Sequence, residues 1–338
     1  MQPPLASVIV PTRDRAAVLR DCLASLRRQT LAAERFEVIV VDNGSRDDTA
    51  AVARAFDGPL RLRLLHEPEP GLHVGRHAGA KAARSEVLVF CDDDIVAEPG
   101  WLEAVAGAFA DDPAVAMVGG NNRPGWDGEP PAWLAHAWGL PAGPVAGGRA
   151  LAALSVLDFG AGRFELDPRW VWGCNFSVRR AVLDAAGGFH PDGVPAERLR
   201  WRGDGEMHVG DVVRERGAKC LFVGAASVTH RVDARRMKPE YFAWRGRMQG
   251  VSDSYTAIRR AGRVPPDQGR WRREFAASLR DWRDLARRSW ARPPAPVLQW
   301  QSVQAEVRRA WRDGWDFHRA EVARDPTLLA WVLKPHYR

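Results

Sequence analysis

The chain has 338 residues, 46% of them hydrophobic and 27% charged, and carries a formal net charge of +7. This is the composition of an ordinary soluble globular protein, and the length suits one domain plus an elaboration. No apolar stretch approaches the roughly 18 to 20 residues of a membrane span, and the N-terminus lacks the basic-then-apolar pattern of a secretory signal. Cys22, Cys91, Cys174 and Cys220 are widely spaced and form no CxxC or Cys/His cluster. They are expected to be reduced, structural thiols in a cytoplasmic protein.

Residues 7–118 alternate strand and helix patterns. The β-branched run at residues 7–10 predicts a first strand, ended by Pro11 and Thr12. Val18, Leu19, Cys22, Leu23 and Leu26 then recur at helical spacing. Residues 36–41 predict a second strand, stopped by the turn chemistry of Asp42, Asn43, Gly44 and Ser45. A short helix carrying Ala50, Ala53 and Phe56, a strand over residues 60–65, and the segment 75–83 follow. The strand Val87–Cys91 then runs into Asp92, Asp93 and Asp94. Pro99 is placed to open the next helix at its first position, and residues 114–118 read as another strand. Such alternation predicts an α/β fold with a mostly parallel sheet flanked by helices.

From residue 121 to 162, prolines, glycines and Trp126, Trp133 and Trp138 predict an irregular insertion. Order is expected to return over residues 170–178, with a helix ending near Gly187 and Gly188, and another from about Asp204 to Arg216. The strands 219–223 and 226–230 close a domain spanning 1–232, its two halves meeting near residue 120. Residues 233–338 read as a C-terminal helical extension. After residue 230 there are 24 Lys and Arg against 12 Asp and Glu, and eight of the 15 tryptophans lie there. One helical face carries Trp271, Phe275, Leu279, Trp282 and Leu285; another carries Val303, Val307, Trp311, Trp315, His318 and Val322. Packing against the first domain is the expected use of these faces. Peripheral contact with an anionic membrane and a homo-oligomer interface are the alternatives, and nucleic acid is not expected as a partner.

Three adjacent carboxylates repel one another unless a cation or a solvated loop relieves them. In a parallel sheet, the polar ends at residues 11–14, 42–45 and 92–94 fall on one edge, where α/β folds bind ligands. No glycine-rich phosphate loop is present, so phosphates are left to a metal and to arginine.

Six motifs, in order, carry a resemblance. SVIVPTRDR (7–15), FEVIVVDNGS (36–45), GLHVGRHAG (71–79) and VLVFCDDD (87–94) come first. WGCNFSVRR (172–180) with GGF (187–189), and GDGEM (203–207) with VTH (228–230), complete the set. The chain so resembles the family 2 glycosyltransferases, which implies a GT-A fold and an inverting, metal-dependent transfer of sugar from a nucleoside-diphosphate donor. The acceptor is implied to be a glycan, a lipid-linked molecule or a small molecule. The resemblance implies that Pro11, Thr12, Asp14, Asp42, Arg76, Asp92 and Asp93 bind the nucleotide sugar. It also implies that Asp94 and His230 hold Mg²⁺ or Mn²⁺, and that Asp204 is the general base. Trp172, Asn175 and Glu206 are the implied acceptor contacts. Gly203 stands where the family usually has Glu, which makes Glu206 the nearest substitute for a residue that orients Asp204. The rival enzyme reading is a sugar nucleotidyltransferase, which would want a basic, glycine-rich first loop. The rival from another class is a non-catalytic module that binds a nucleotide sugar or a membrane surface through its basic tail; the expected location of the chain is cytoplasmic, with the inner face of the cell membrane as a peripheral alternative.

Overall fold

The computed structural model describes residues 3–56, 58, 60–266 and 293–337. Runs of Val, Ile and Leu form the central strands β1 (Ala6–Thr12), β2 (Phe36–Asp42) and β4 (Val87–Cys91), buried on both faces, and the partly exposed edge strand β3 (Leu62–His66). Their order is β3-β2-β1-β4, and every pairing among them is parallel. The crossovers contain the helices α1 (Ala16–Arg27), α2 (Thr49–Ala55) and α3 (Leu72–Ala82). Next come β5 (Ile95–Ala97), α4 (Trp101–Asp111) and β6 (Val115–Gly119). The helix α4 starts after Gly100, so Pro99 lies just ahead of it and not at its first position.

The stretch expected to be irregular contains β7 (Asn122–Trp126), α5 (Ala132–Gly139), β8 (Arg149–Leu151) and β9 (Val156–Asp158). Strands of three to five residues among prolines are too short to show a period, which explains why the sequence pattern does not reveal them. Then follow β10 (Arg163–Glu165), β11 (Asn175–Arg179), α6 (Arg180–Ala185), α7 (Met207–Glu215), β12 (Lys219–Val223) and β13 (Val228–Val232). The helix α7 begins three residues after Asp204, which therefore stands in the preceding loop and does not cap it.

The large sheet has eight strands, extended beyond β4 by β11, β6, β12 and β10, and β11 runs antiparallel to both its neighbours. Alternate residues of the central strands feed two separate cores. Val8, Val10, Val38, Val40 and Val89 pack with α1 and α4 on one face, and Ile9, Leu88, Phe90, Phe176 and Phe189 form the other. A second sheet, in the order β5-β13-β7-β9-β8, is smaller. All four cysteines are buried and unbridged.

The chain divides into two compact units. One comprises residues 1–125, 141–232 and 335–338; the other comprises 126–140 and 233–334. Residues 126–140, read from sequence as part of the first domain, thus group with the tail. In this second unit α5 accompanies α8 (Pro239–Ala261), α9 (Ala295–Arg324) and α10 (Pro326–Val332). Trp133 of α5 stacks on Trp300 and meets the edge of Phe242. The face of α9 that carries Val303, His318 and Val322 is buried, and Trp311 donates its indole N–H to Asp253 at 2.8 Å. Aromatic residues of the tail are thus engaged in packing, with Trp244 half exposed. Trp271, Phe275, Leu279, Trp282 and Leu285 lie outside the described residues. Among the described residues no helix is long and apolar enough to cross a membrane.

The contact between α8 and α9 is set by glycine. A Cβ on Gly250 would lie 2.0 Å from the Trp311 carbonyl oxygen, a backbone atom that cannot rotate away. Gly250→Ala must therefore push the two helices apart, at a cost of about 1–3 kcal/mol, and the thermal midpoint of the full chain should fall measurably. An unchanged midpoint would show that the crossing is looser than described.

Candidate active site

The ends of the central strands meet as the sheet topology requires. Thr12 stands opposite Asp42 in the β1–β2 register, and Asp42 opposite His66. The run Asp92–Asp94 leaves β4 on the same edge, because β1 and β4 are parallel. Asp42 is buried and accepts a hydrogen bond from the Ser45 N–H at 2.9 Å. Asp14 adopts a left-handed backbone (φ 53°) that residues with a Cβ seldom take. It is held there by its own N–H donating to Ser45 Oγ and its carboxylate accepting from the Arg46 N–H. The first two strand-end loops are thereby tied together. Pro11 is buried in β1 beneath Gly75 of α3.

The three aspartates face three ways. Asp93 is turned inward, 3% exposed, where it accepts from Thr12 Oγ1 at 2.6 Å and pairs with Arg15 Nη1 at 3.0 Å. Burial pushes its carboxyl up to about 7, against the pull of the Arg15 charge, and the neighbouring Asp94 adds to the rise. Thr12 and Asp93, both expected to touch the nucleotide sugar, thus spend these groups on each other. Asp94 pairs with Arg15 Nη2 at 2.9 Å and with His230 Nε2 at 3.2 Å. Asp92 is the most exposed member, at 29%, and accepts from Arg76 Nη2 at 2.8 Å. Asp92, Asp94 and His230 each offer a ligand atom within 4.8 Å of the others. Two carboxylates and an imidazole fit a divalent cation.

Arg76, on α3, is 1% exposed. Its Nη2 also donates to the Gly173 carbonyl at 2.9 Å, and its Nη1 lies 3.7 Å from Glu206 Oε2. Burial works against its charge, and Asp92 and Glu206 outweigh burial. A Cβ at 173 would fall 2.6 Å from Nη2, so a larger residue there would have to displace the guanidinium from its partners. Glu206 accepts from the Gly173 N–H at 3.0 Å and stands 3.6 Å from His73 Nε2. Burial alone would raise its carboxyl, but His73 and Arg76 hold it below the ordinary carboxylate range. Burial, with Arg76 beside it, depresses the His73 imidazole, against the pull of Glu206. His73, Asp192 and Glu206 also converge, but Arg76 and Arg202 already answer both carboxylates.

Asp204 stands beside this group, with its Oδ1 at 2.6 Å from His190 Nδ1. Trp172 is half-buried and donates its indole N–H to the Arg169 carbonyl. Asn175 does not join the cluster. It is 2% exposed, accepts from the Trp101 indole, and donates to the carbonyls of Asn121 and Ala226. Its amide is consumed in holding β11 to its surroundings, which corrects its expected place as an acceptor contact. Arg15, His73 and His190 were not assigned from sequence. Each lies in or directly beside one of the six motifs, which was the signal available.

Residues 7–157 match a family model described as glycosyl transferase family 2. Among curated proteins the chain is 33% identical over 202 residues to validoxylamine A glucosyltransferase of Streptomyces hygroscopicus subsp. jinggangensis, covering 56% of this chain and 48% of that one. It is 23% identical over 256 residues to glucosyl-dolichyl phosphate glucuronosyltransferase of Haloferax volcanii, covering 73% and 75%. The chain thus spans about half the length of the first of these relatives. Among solved structures it is similar to mannosyltransferase PcManGT from Pyrobaculum calidifontis, in complex with GDP-Man and Mn²⁺. That match has a TM-score of 0.50 and 19% identity, and covers 97% of this chain and 76% of that one. The likeness shows a shared fold.

Removing Arg76 leaves Asp92 and Glu206 without their common counter-charge. Arg76→Met should cost about 3–5 kcal/mol in chemical denaturation. Arg76→Lys should recover little of it, because an ammonium cannot reach Asp92, Gly173 and Glu206 together. Full recovery by lysine would contradict the bridging geometry.

Proposed function

Because residues 7–157 belong to glycosyl transferase family 2, we propose that this chain moves a glycosyl group from a nucleoside-diphosphate sugar to an acceptor hydroxyl, with inversion at the anomeric carbon. The observation that carries the reading is the convergence of Asp92, Asp94 and His230, with buried Arg76 bridging Asp92 to Glu206, two residues along the chain from Asp204. A cation-ready group with a carboxylate base on a loop tied to it through a buried guanidinium suits a displacement between a leaving diphosphate and an incoming hydroxyl.

Asp42, at the end of β2, is the group for a ring N–H of the nucleobase, with Pro11 and Asp14 shaping the wall beside it. Asp92 is the group for ribose. Asp94 and His230, with Asp92 adjacent, are the residues to hold Mg²⁺ or Mn²⁺; the mannosyltransferase with GDP-Man and Mn²⁺ supports that choice. Such an ion neutralises the charge that gathers on a leaving diphosphate. Arg76 fixes Asp92 and Glu206 and keeps positive charge in the floor of the site. Asp204 accepts the proton of the acceptor hydroxyl as it attacks. Glu206 and Trp172 are the residues assigned to contact the acceptor. Asp93 acts differently, because with Thr12 and Arg15 it locks the strand ends that present its neighbours.

The assay is release of nucleoside diphosphate from a panel of UDP- and GDP-hexoses, first ranked by thermal shift. Release should need Mg²⁺ or Mn²⁺ and stop with chelator, and Asp94→Asn should require far more metal for the same rate. Asp204→Asn should lower turnover by roughly 10²- to 10⁴-fold, while nucleotide binding persists. Full activity in Asp204→Asn would remove the base assignment, and full activity without metal would remove the cation.

A further inference from the structure

Asp204 does not stand alone, and its partner lies outside everything assigned so far. His190 follows Gly187, Gly188 and Phe189. The two glycines have φ of 74° and 89°, which turns the chain sharply after α6 and returns it alongside residues 203–205. Backbone bonds then join the two segments on either side of the pair. The His190 N–H donates to the Gly205 carbonyl, and the Gly203 N–H donates to the Pro191 carbonyl. The 2.6 Å contact from His190 Nδ1 to Asp204 Oδ1 is therefore set by paired backbone and not by a swinging side chain. His190 is 1% exposed, and its ring is clamped. One face stacks on His208 at 3.8 Å, and Tyr337 meets it edge-on at 5.2 Å.

The protons follow from the partners. His208 Nε2 lies 2.9 Å from the Ala186 carbonyl, which can only accept, so His208 carries a proton on Nε2. A carboxylate likewise only accepts, so His190 carries a proton on Nδ1. Two imidazoles stacked at 3.8 Å repel strongly if both are cations. The titratable groups facing it are Asp204 from the loop before α7, His208 from α7, and Tyr337 from the segment after α10, with His336 close by at Gly187.

We propose that His190 is the positioning residue for the base, its Nδ1–H holding the Asp204 carboxylate in the one orientation from which it can take the acceptor proton. This rests on the reading of Asp204 as base. The imidazole need not gain or lose a proton in the reaction; it acts by a hydrogen bond to the ionised form of its partner. That bond favours the carboxylate over the acid. Its loss should therefore leave Asp204 protonated to a higher pH, and the acidic limb of the rate profile should move upward.

Two measurements test this on the full chain. The first is nitrogen NMR with ¹⁵N-histidine labelling, the His190 signals being identified by their loss in His190→Asn. The expected result at neutral pH is a ring protonated on Nδ1; a ring protonated on Nε2 alone overturns the proposal. The second is nucleoside-diphosphate release from the UDP- and GDP-hexose panel with Mn²⁺. His190→Leu should lower kcat by roughly 10- to 100-fold with the donor KM unchanged, and should shift the acidic limb to higher pH. His190→Asn, whose side-chain N–H can occupy the place of Nδ1–H, should regain most of the rate and the original limb. Equal rates in wild type and His190→Leu, or equal losses in the leucine and asparagine variants, overturn the proposal. Activity in Asp204→Asn instead removes the base itself. An inactive Asp204→Asn beside a fully active His190→Leu leaves the base standing and removes only its partner.

Discussion

A single buried guanidinium organises the candidate site. Arg76 lies on α3, away from the strand ends in sequence, yet it bonds Asp92 after β4, the Gly173 carbonyl before β11, and approaches Glu206 before α7. A buried cation without partners is costly, and a buried carboxylate no less so. Each group makes burial of the other tolerable, so the three segments can be brought together only with all of them present. Gly173 completes the constraint, because any side chain there would occupy the space of the guanidinium. The planar fork of arginine, with several donors in fixed directions, suits this junction better than a point charge.

The aspartate run is then understood by environment and not by composition. Three like charges in succession repel, and the structure relieves them in three ways. Asp93 is buried against Thr12 and half of the Arg15 fork. Asp94 takes the other half of that fork and His230. Asp92 leans on Arg76 and keeps partial exposure. The triplet is thus one buried lock and two presented carboxylates. Strand-end geometry sets this division, since successive residues leaving β4 face different directions.

Much of the fold could be read from the sequence because β1, β2 and β4 are buried on both faces. Their continuous β-branched runs, broken by Asp42 to Ser45 and by Asp92 to Asp94, mark strand and turn without ambiguity. The parallel order puts those breaks on one edge, so the sequence pattern alone brings Asp42, Asp92 and Asp94 together. What sequence could not show was direction. Asn175 sits in a motif and looked like a contact residue, yet its amide is spent on Trp101, Asn121 and Ala226. Sequence proximity pointed to Glu206 as the residue beside Asp204. The structure places His190 there, 14 residues away, by pairing two loops whose geometry depends on Gly187 and Gly188. The short strands β5, β7, β8 and β9 were not legible because three to five residues carry too little period to be seen.

The central claim is that the carboxylates leaving β4 receive a cation and a nucleoside diphosphate together. The most direct measurement is a crystal structure of the full chain with UDP or GDP and Mn²⁺, with data collected at the manganese absorption edge. One anomalous peak is expected within coordination distance of Asp94 and His230, with the nucleobase beside Asp42. A nucleotide bound elsewhere, or bound at Asp42 with no manganese at Asp94, would contradict the claim.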